Sequence, residues 1–265
     1  MKMSFTRSQA AAYRRLLAIA KAQFCPVDQT NFLLTPRLRP LLIGPTGVGK
    51  TALARAVAEE CSAAFFRTSI GEWTPAGAKA PATLDRLRTV LRSNTRAVVL
   101  IDEIDKTRAT EITPWLQSII AEVFCLLDGD AIRAAEGEKL ATFLIVAAGT
   151  WQWTARETAS RIGFGAGGAN SSGSGKWTAR VRDNPLIPPE LLFRFCWPPL
   201  ELSYPLADET AELYERFGLK RLAANVGETL DPETHDWATG GLRSLENLAA
   251  SLLIRAHEND SSQSQ

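Results

Sequence analysis

Eight consecutive residues, Gly44-Pro45-Thr46-Gly47-Val48-Gly49-Lys50-Thr51, satisfy the pattern G-x-x-x-x-G-K-[ST] at every fixed position. The chemistry of that pattern is the holding of phosphate. Glycines let the backbone turn until several N–H groups converge on phosphate oxygens, and a following helix adds its partial positive charge. Lys50 then reaches the β- and γ-phosphates as a point charge, and the Thr51 hydroxyl ligates Mg²⁺. A second pair, Asp102 and Glu103, ends an apolar run that begins at Ala97. Asp102 is placed to hold Mg²⁺ through its water shell, and Glu103 to orient and deprotonate an attacking water. The same pair could instead only charge the start of the next helix. The immediately following Asp105 and Lys106 read as a surface ion pair.

These residues need particular elements to position them. Leu41-Leu42-Ile43 before the loop reads as a strand, and 52–60 after it as a helix. Residues 63–68 read as a second strand, 71–81 as a loop with Trp73 exposed or capping, and Thr83–Arg92 as a helix with Leu84, Leu87, Val90 and Leu91 inward. The run 97–101 is a buried parallel strand, and Phe143 to Thr150 another. Arg7–Phe24 is a helix with Tyr13, Leu16, Leu17, Ala20 and Phe24 on one face, joined to the first strand by the proline-bearing segment 25–40. Strands alternating with helices imply an α/β fold, a three-layer αβα core around a parallel sheet whose carboxyl edge binds the ligand. Past residue 200 the alternation stops, and Ala207–Arg216, 220–226 and 242–256 read as an all-helical unit.

The bulk composition agrees with a soluble chain: 265 residues, 45% hydrophobic, 22% charged, net charge +1. So balanced a charge gives no electrostatic footprint for nucleic acid or an acidic membrane surface. The four cysteines fall into no C-x-x-C pair, so neither a zinc site nor a disulfide framework is expected. No apolar run has membrane-spanning length, and the reading is of a cytoplasmic protein.

With these motifs in place the chain resembles an AAA+ ATPase, GPTGVGKT matching its Walker A and VVLIDEIDK its Walker B. The resemblance implies ATP with Mg²⁺, hydrolysis, and a homo-oligomeric, hexameric ring. It places a sensor-1 role on Thr150, where a polar side chain can hold the lytic water or the γ-phosphate. Within the family the chain is most similar to the ClpX and HslU unfoldases, from Gln9 to about Ala256. The segment PLIPPELLFRF, 185–195, resembles the box that supplies their arginine finger, which implies that Arg194 acts across a subunit boundary. Gly240-Gly241-Leu242-Arg243 implies sensor 2 at Arg243; ClpX-type chains carry an earlier Arg where this chain has Gly240. A cation in a first helical turn is disfavoured by the helix dipole unless a phosphate faces it.

The implied organisation is a nucleotide-binding core over 1–200, including helix 7–24 and a Gly/Ser-rich loop over 162–176, a helical lid over 201–257, and a disordered tail over 258–265. Two departures bear on the work done. At the position of the ClpX-type pore loop this chain reads Ala76-Gly77-Ala78-Lys79-Ala80, without the gripping aromatic, and the zinc-binding amino-terminal module of ClpX is not expected. Ile162-Gly163-Phe164 is similar to the loop with which ClpX docks a ring-shaped peptidase, but its composition alone supports only a flexible linker. The expected function is ATP-driven remodelling of a protein partner. A nucleotide-switched scaffold with little turnover and a DNA-associated ATPase, for which Trp151, Trp153, Trp177 and Trp197 would be stacking candidates, stay open.

Overall fold

A computed structural model describes residues 6–25, 38–107, 113–132, 134, 136, 138–151, 181, 189–196, 198–237 and 240–263, with side chains up to residue 256. The chain divides into two compact units, one of Ala11–Gly44 and Lys50–Leu202, the other of Met1–Ala10, Pro45–Gly49 and Ser203–Gln265.

The larger unit is built on a five-stranded sheet of order β2-β3-β4-β1-β5, parallel at every pairing. Its strands are β1 (Leu41–Ile43), β2 (Ala64–Ser69), β3 (Arg96–Asp102), β4 (Thr142–Gly149) and β5 (Leu200–Glu201). β3 is an interior strand, as its sequence demands: Ala97 through Ile101 are fully buried, and only a strand covered on both faces removes so continuous an apolar run from water. Register aligns the carboxyl ends. Ile101 pairs with Ala147, Ser69 with Asp102 and Ile43 with Gly149, so Gly44, Glu103 and Thr150 all leave the sheet at one edge.

The helices of this unit are α1 (Arg7–Phe24), whose first turn lies in the other unit, α2 (Lys50–Glu60), α3 (Thr83–Arg92), α4 (Pro114–Asp128) and the short α5 (Pro189–Leu192). α1 buries Leu16, Ala20 and Phe24 of the face its periodicity predicted, together with Ala12, while Tyr13 and Leu17 of that face are half-buried. α4 is announced by local chemistry: Thr113 caps it by accepting from the Leu116 N–H at 3.2 Å, Pro114 occupies its first turn, and Gly129 ends it at φ 88°. Trp73 is not exposed. It is 3% accessible within the main core, because its indole N–H finds a partner in Glu122 of α4 at 2.8 Å, which removes the cost of burying a polar ring.

The smaller unit packs α6 (Ala207–Arg216), α7 (Leu219–Asn225) and α8 (Arg243–Gln263) around Leu213, Tyr214, Leu219, Trp237 and Leu245. Glu209 ties its amino end together, accepting from the backbone N–H of Arg7 at 2.5 Å and of Leu206 at 3.1 Å. α8 continues to Gln263, past Glu258 where an irregular tail was expected. Helical hydrogen bonds propagate residue by residue once a turn exists, so polar residues extend a helix that packing has already nucleated. Among the described residues no helix is long and apolar enough to cross a membrane.

Candidate functional site

At the carboxyl edge of the larger unit, Lys50 opens α2 and turns its ammonium back onto the Gly44 carbonyl at 2.7 Å. The side chain is buried, and desolvation lowers its pKa to about 8 although Asp102 and Asp105 pull it upward. A buried ammonium favours an anion beside it, which would restore the favourable electrostatics that water supplied before burial. Next to it the Thr51 hydroxyl donates to Asp102 Oδ2 at 3.1 Å. One hydroxyl and one carboxylate, both hard oxygen donors side by side, fit Mg²⁺, which keeps several waters and takes its remaining ligands from the nucleotide. When bound, the ion would neutralise charge on the β- and γ-phosphate oxygens. Asp102 Oδ1 is committed to the Glu103 N–H at 3.0 Å, and Arg67 of β2 faces Oδ2 at 3.5 Å. Arg67 is a neighbour the motif does not reveal, because strand pairing brings it there.

Glu103 has φ 58°, an uncommon conformation for a residue with a side chain, and its carboxylate meets Lys106 at 2.7 Å. Lys106 therefore pairs with Glu103, and the surface pairing of Lys106 with Asp105 does not form. Asp105 is 8% accessible. It accepts from the Thr150 hydroxyl at 3.0 Å and from the backbone N–H groups of Thr150 and Trp151 at 3.3 and 3.1 Å. Three donors arriving from the end of β4 give this carboxylate a reason to be inside. Trp151, φ 43° and 1% accessible, lies across Gly149, where an added Cβ would come within 2.3 Å of the ring. Left-handed backbone at such a residue costs about 1–3 kcal/mol, and the buried indole and the bonds to Asp105 offset it.

Arg194 follows α5, and its guanidinium is held within its own chain. Nε lies 3.1 Å from both oxygens of Asp128, Nη2 lies 2.7 Å from Oδ2, and Nη1 donates to the Glu190 carbonyl at 2.6 Å. The Glu190 contact is thus through the backbone, and the carboxylate partner is Asp128.

The loop residues Pro45–Gly49 group with the smaller unit. Gly47 and Gly49 have φ 79° and 87°, values that an L side chain rarely adopts. Gly47 is also crowded: a Cβ there would lie 2.2 Å from the Gly240 carbonyl oxygen, and its own carbonyl accepts from the Leu242 N–H at 2.8 Å. Tyr204 donates to the Thr46 carbonyl at 3.2 Å. Gln9, 6% accessible, donates to the Val48 carbonyl at 2.8 Å while accepting from the Thr6 N–H at 2.9 Å. Arg243 is exposed at the first turn of α8.

The loop 162–176, with Ile162-Gly163-Phe164, lies outside the described residues, as do Trp153, Trp177, Trp197 and the segment 182–188. A cleft of about 490 Å³ opens at the amino end of β4 and is lined by Gln23, Arg39, Asp128 and Thr142, at the sheet edge opposite the phosphate chemistry.

Residues 40–162 match the family model described as "ATPase family associated with various cellular activities (AAA)". Spastin of Anopheles gambiae is 46% identical over 74 residues, 28% of this chain and 9% of that protein. Fidgetin-like protein 1 of Caenorhabditis elegans is 32% identical over 136 residues, 49% of this chain and 22% of that protein. The 26S proteasome regulatory subunit 6B homolog of Dictyostelium discoideum is 35% identical over 96 residues, 34% and 24%. The chain thus spans less than a quarter of the length of these relatives. Their names lie with spastin, fidgetin and the proteasomal ATPases and not specifically with the ClpX and HslU group. Among solved structures, the FIGL-1 AAA domain in complex with ADP superimposes with a TM-score of 0.51 at 21% identity, over 79% of this chain and 57% of that one, a likeness of fold. The parallel sheet of order β2-β3-β4-β1-β5, the Lys50–Thr51–Asp102 cluster at its carboxyl edge and the match over 40–162 agree, and that segment is similar to AAA-type ATPase domains.

Proposed function

We propose that the chain binds ATP with Mg²⁺, hydrolyses it in a ring-shaped homo-oligomer, and uses the cycle to remodel a protein partner. The observation that carries this reading is the cluster in which Thr51 bonds Asp102 beside the buried Lys50, with Glu103 next in sequence and Thr150 just past the end of the adjacent strand. Lys50 supplies charge for the phosphates, Thr51 and Asp102 hold the cation, and Glu103 takes a proton from the attacking water once it releases Lys106. Arg194 is the residue that would enter a neighbouring subunit's site and stabilise charge on the transferring phosphoryl group. Arg243 is assigned to face the nucleotide from the first turn of α8.

Polypeptide threading has little support. Ala76, Gly77, Lys79 and Ala80 are exposed but carry no aromatic, and Trp73, the nearby candidate, is committed to the core. A Clp-type assignment and peptidase docking through Ile162-Gly163-Phe164 rest on sequence similarity alone. A DNA role loses one stacking candidate, because Trp151 is 1% accessible.

A second reading, a nucleotide-switched scaffold with little turnover, is favoured by one feature. Glu103 and Arg194, the two groups turnover needs most, are both engaged by partners in their own chain, Lys106 and Asp128.

The deciding experiment is ATPase rate per subunit against subunit concentration, with sizing in ATP and Glu103→Gln as the blank. A motor gives a rate that rises cooperatively alongside a ring-sized species, and Glu103→Gln traps that species with ATP bound. ATP binding without hydrolysis at any concentration establishes the scaffold instead. A rate that is measurable but flat in a monomer removes the ring.

A further inference from the structure

We infer that Asp105 is a positioning residue that fixes the polarity of Thr150, so that Thr150 offers lone pairs to the attacking water and no proton to the γ-phosphate. This rests on the hydrolysis proposed above and gives a role to a residue that the sequence reading left as a surface acid.

The argument is one of donors and acceptors. Asp105 receives two backbone N–H groups, those of Thr150 and Trp151, at 3.3 and 3.1 Å. Backbone N–H groups only donate, so the Asp105 oxygens they meet act as acceptors. The third contact, between Thr150 Oγ1 and Asp105 Oδ2 at 3.0 Å, therefore takes its proton from the hydroxyl. A hydroxyl has one proton and two lone-pair directions. With the proton spent on Asp105, Thr150 Oγ1 can only accept from whatever stands at the sheet edge. Terminal phosphate oxygens are acceptors and are not recognised by such a group. Water is.

The arrangement is rigid enough for this to matter. Asp105 is 8% accessible and sits in the 3-10 turn Ile104–Thr107, immediately after Glu103, while Thr150 directly follows β4. One carboxylate thereby links the residue beside the general base to the residue that holds the water. In the hydrolytic step the water oxygen forms the new bond to γ-phosphorus, and the bridging oxygen leaves with ADP. One water proton passes to the Glu103 carboxylate, and the other, hydrogen-bonded to Thr150 Oγ1, stays on the phosphate. Orienting a nucleophile in this way acts on the rate of the chemical step and not on ground-state affinity.

Asp105→Asn keeps the volume but sets an amide donor against either the Thr150 N–H at the Oδ1 position or the Thr150 hydroxyl and Trp151 N–H at the Oδ2 position, so the carboxylate no longer fixes Thr150 through both oxygens. The test compares the wild type with Asp105→Asn, Thr150→Val, Thr150→Ser and the double variant Asp105→Asn/Thr150→Val. Each is measured for steady-state turnover and for binding of ADP and of the slowly hydrolysed analogue ATPγS. The expected result is at least a tenfold fall in kcat for Asp105→Asn and Thr150→Val, with the ratio of ATPγS to ADP affinity unchanged within about twofold. The double variant should be no slower than the slower single one, and Thr150→Ser, which keeps the hydroxyl, should recover most of the rate that Thr150→Val loses. ADP binding by every variant verifies folding, and Thr150→Val reports on the site even where Asp105→Asn unfolds. Three outcomes overturn the inference: Asp105→Asn turning over like the wild type, its loss multiplying fully with that of Thr150→Val, or Thr150→Val lowering ATPγS affinity relative to ADP. A wild type that binds ATPγS but never hydrolyses ATP overturns the proposed function and this role with it, an outcome distinct from the first three because in those the wild type is active.

Discussion

Arg194 and Asp128 form a two-point ion pair within one chain, with the guanidinium also lying 4.2 Å from the Phe124 ring centroid. An arginine cannot serve this carboxylate and a neighbouring subunit's phosphate together, so the proposed ring would have to break the pair. Asp128→Asn weakens the holding anion while preserving shape, and it is expected to raise turnover per subunit about two- to fivefold at concentrations where the ring is half formed. Arg194→Ala should bind ATP normally yet lose at least ~10-fold in rate, a conservative share of what such a finger contributes. The two side chains are 20% and 28% accessible, so solvent screening limits the stability lost in Asp128→Asn to about 1 kcal/mol or less. Concentration-dependent ATPase assays check both variants, and undiminished turnover in Arg194→Ala would remove the finger assignment.

Lys50 makes a prediction about pH. Burial lowers its pKa from 10.5 to about 8 in the ligand-free chain, whereas a bound phosphate favours the protonated form. Nucleotide binding near pH 8 to 9 should therefore take up protons, and affinity should fall as pH rises through about 8, by at most about tenfold per pH unit. The sign for folding is opposite. The unfolded chain binds the proton more tightly, so this residue's contribution to ligand-free stability increases between pH 8 and 10.5. Calorimetric titrations in buffers of different ionisation enthalpy measure the uptake. Lys50→Arg should abolish it, and Lys50→Ala should abolish nucleotide binding.

Gly47 and Gly241 meet so closely that neither has room for a methyl group. A Cβ on Gly47 would approach the Gly240 oxygen to 2.2 Å, and one on Gly241 would approach the Gly47 carbonyl carbon to 2.5 Å, with both residues at positive φ. Gly47→Ala should lower nucleotide affinity at least tenfold through the phosphate loop itself. Gly241→Ala carries the sharper expectation: though outside the loop in sequence, it should weaken binding as well, by displacing the backbone of Gly47. Titration with a fluorescent nucleotide decides it, and wild-type affinity in Gly241→Ala would show that this contact does not shape the loop.

Much of this was legible in the sequence because its signals are local. The buried run 97–101 could only be a covered strand, and the helices Arg7–Phe24, Thr83–Arg92 and Ala207–Arg216 stand at the bounds their periodicity sets. The Walker residues were readable because strand, loop and helix follow one another without interruption. What the sequence conceals is non-local pairing. Asp105 looks like a surface acid beside Lys106 until β3 and β4 pair and deliver the Thr150 and Trp151 N–H groups to it. Asp128 closes α4 and has no visible role until the chain returns at Arg194. Trp73 reads as a loop residue because its partner, Glu122, lies on another helix. α4 itself is a different case, since its Thr-Pro start and Gly129 stop are local signals with the force of a prediction.

His235 links the smaller unit's core to the turn that covers the phosphate loop. Its Nδ1 lies 2.8 Å from the Tyr214 hydroxyl and its Nε2 lies 2.6 Å from Ser244 Oγ, which in turn donates to the Gly241 carbonyl at 2.5 Å. With neutral histidine the chain is fully satisfied in one direction: Tyr214 donates to Nδ1, Nε2–H donates to Ser244, and Ser244 donates to Gly241. Protonation places a hydrogen on Nδ1 and turns the Tyr214 donor away inside a site where Tyr214 is 2% accessible. Burial accordingly lowers the His235 pKa from 6.5, against an upward pull from Asp236. A base that protonates more readily in the unfolded chain destabilises the fold in acid, so stability should fall as pH drops below 6.5, by at most about 1.4 kcal/mol per pH unit. The Nε2–H to Ser244 bond is the same in both protonation states, so the turn packed on Gly47 keeps its hydrogen bond and nucleotide affinity should change little through this residue. Thermal melts of the full chain from pH 5 to 8 follow the stability effect, with nucleotide titrations as the control, and His235→Gln, which carries no titratable proton, should flatten it. A His235→Gln chain that keeps the wild-type pH dependence would place the sensitivity elsewhere and reduce the Tyr214–His235–Ser244 chain to packing.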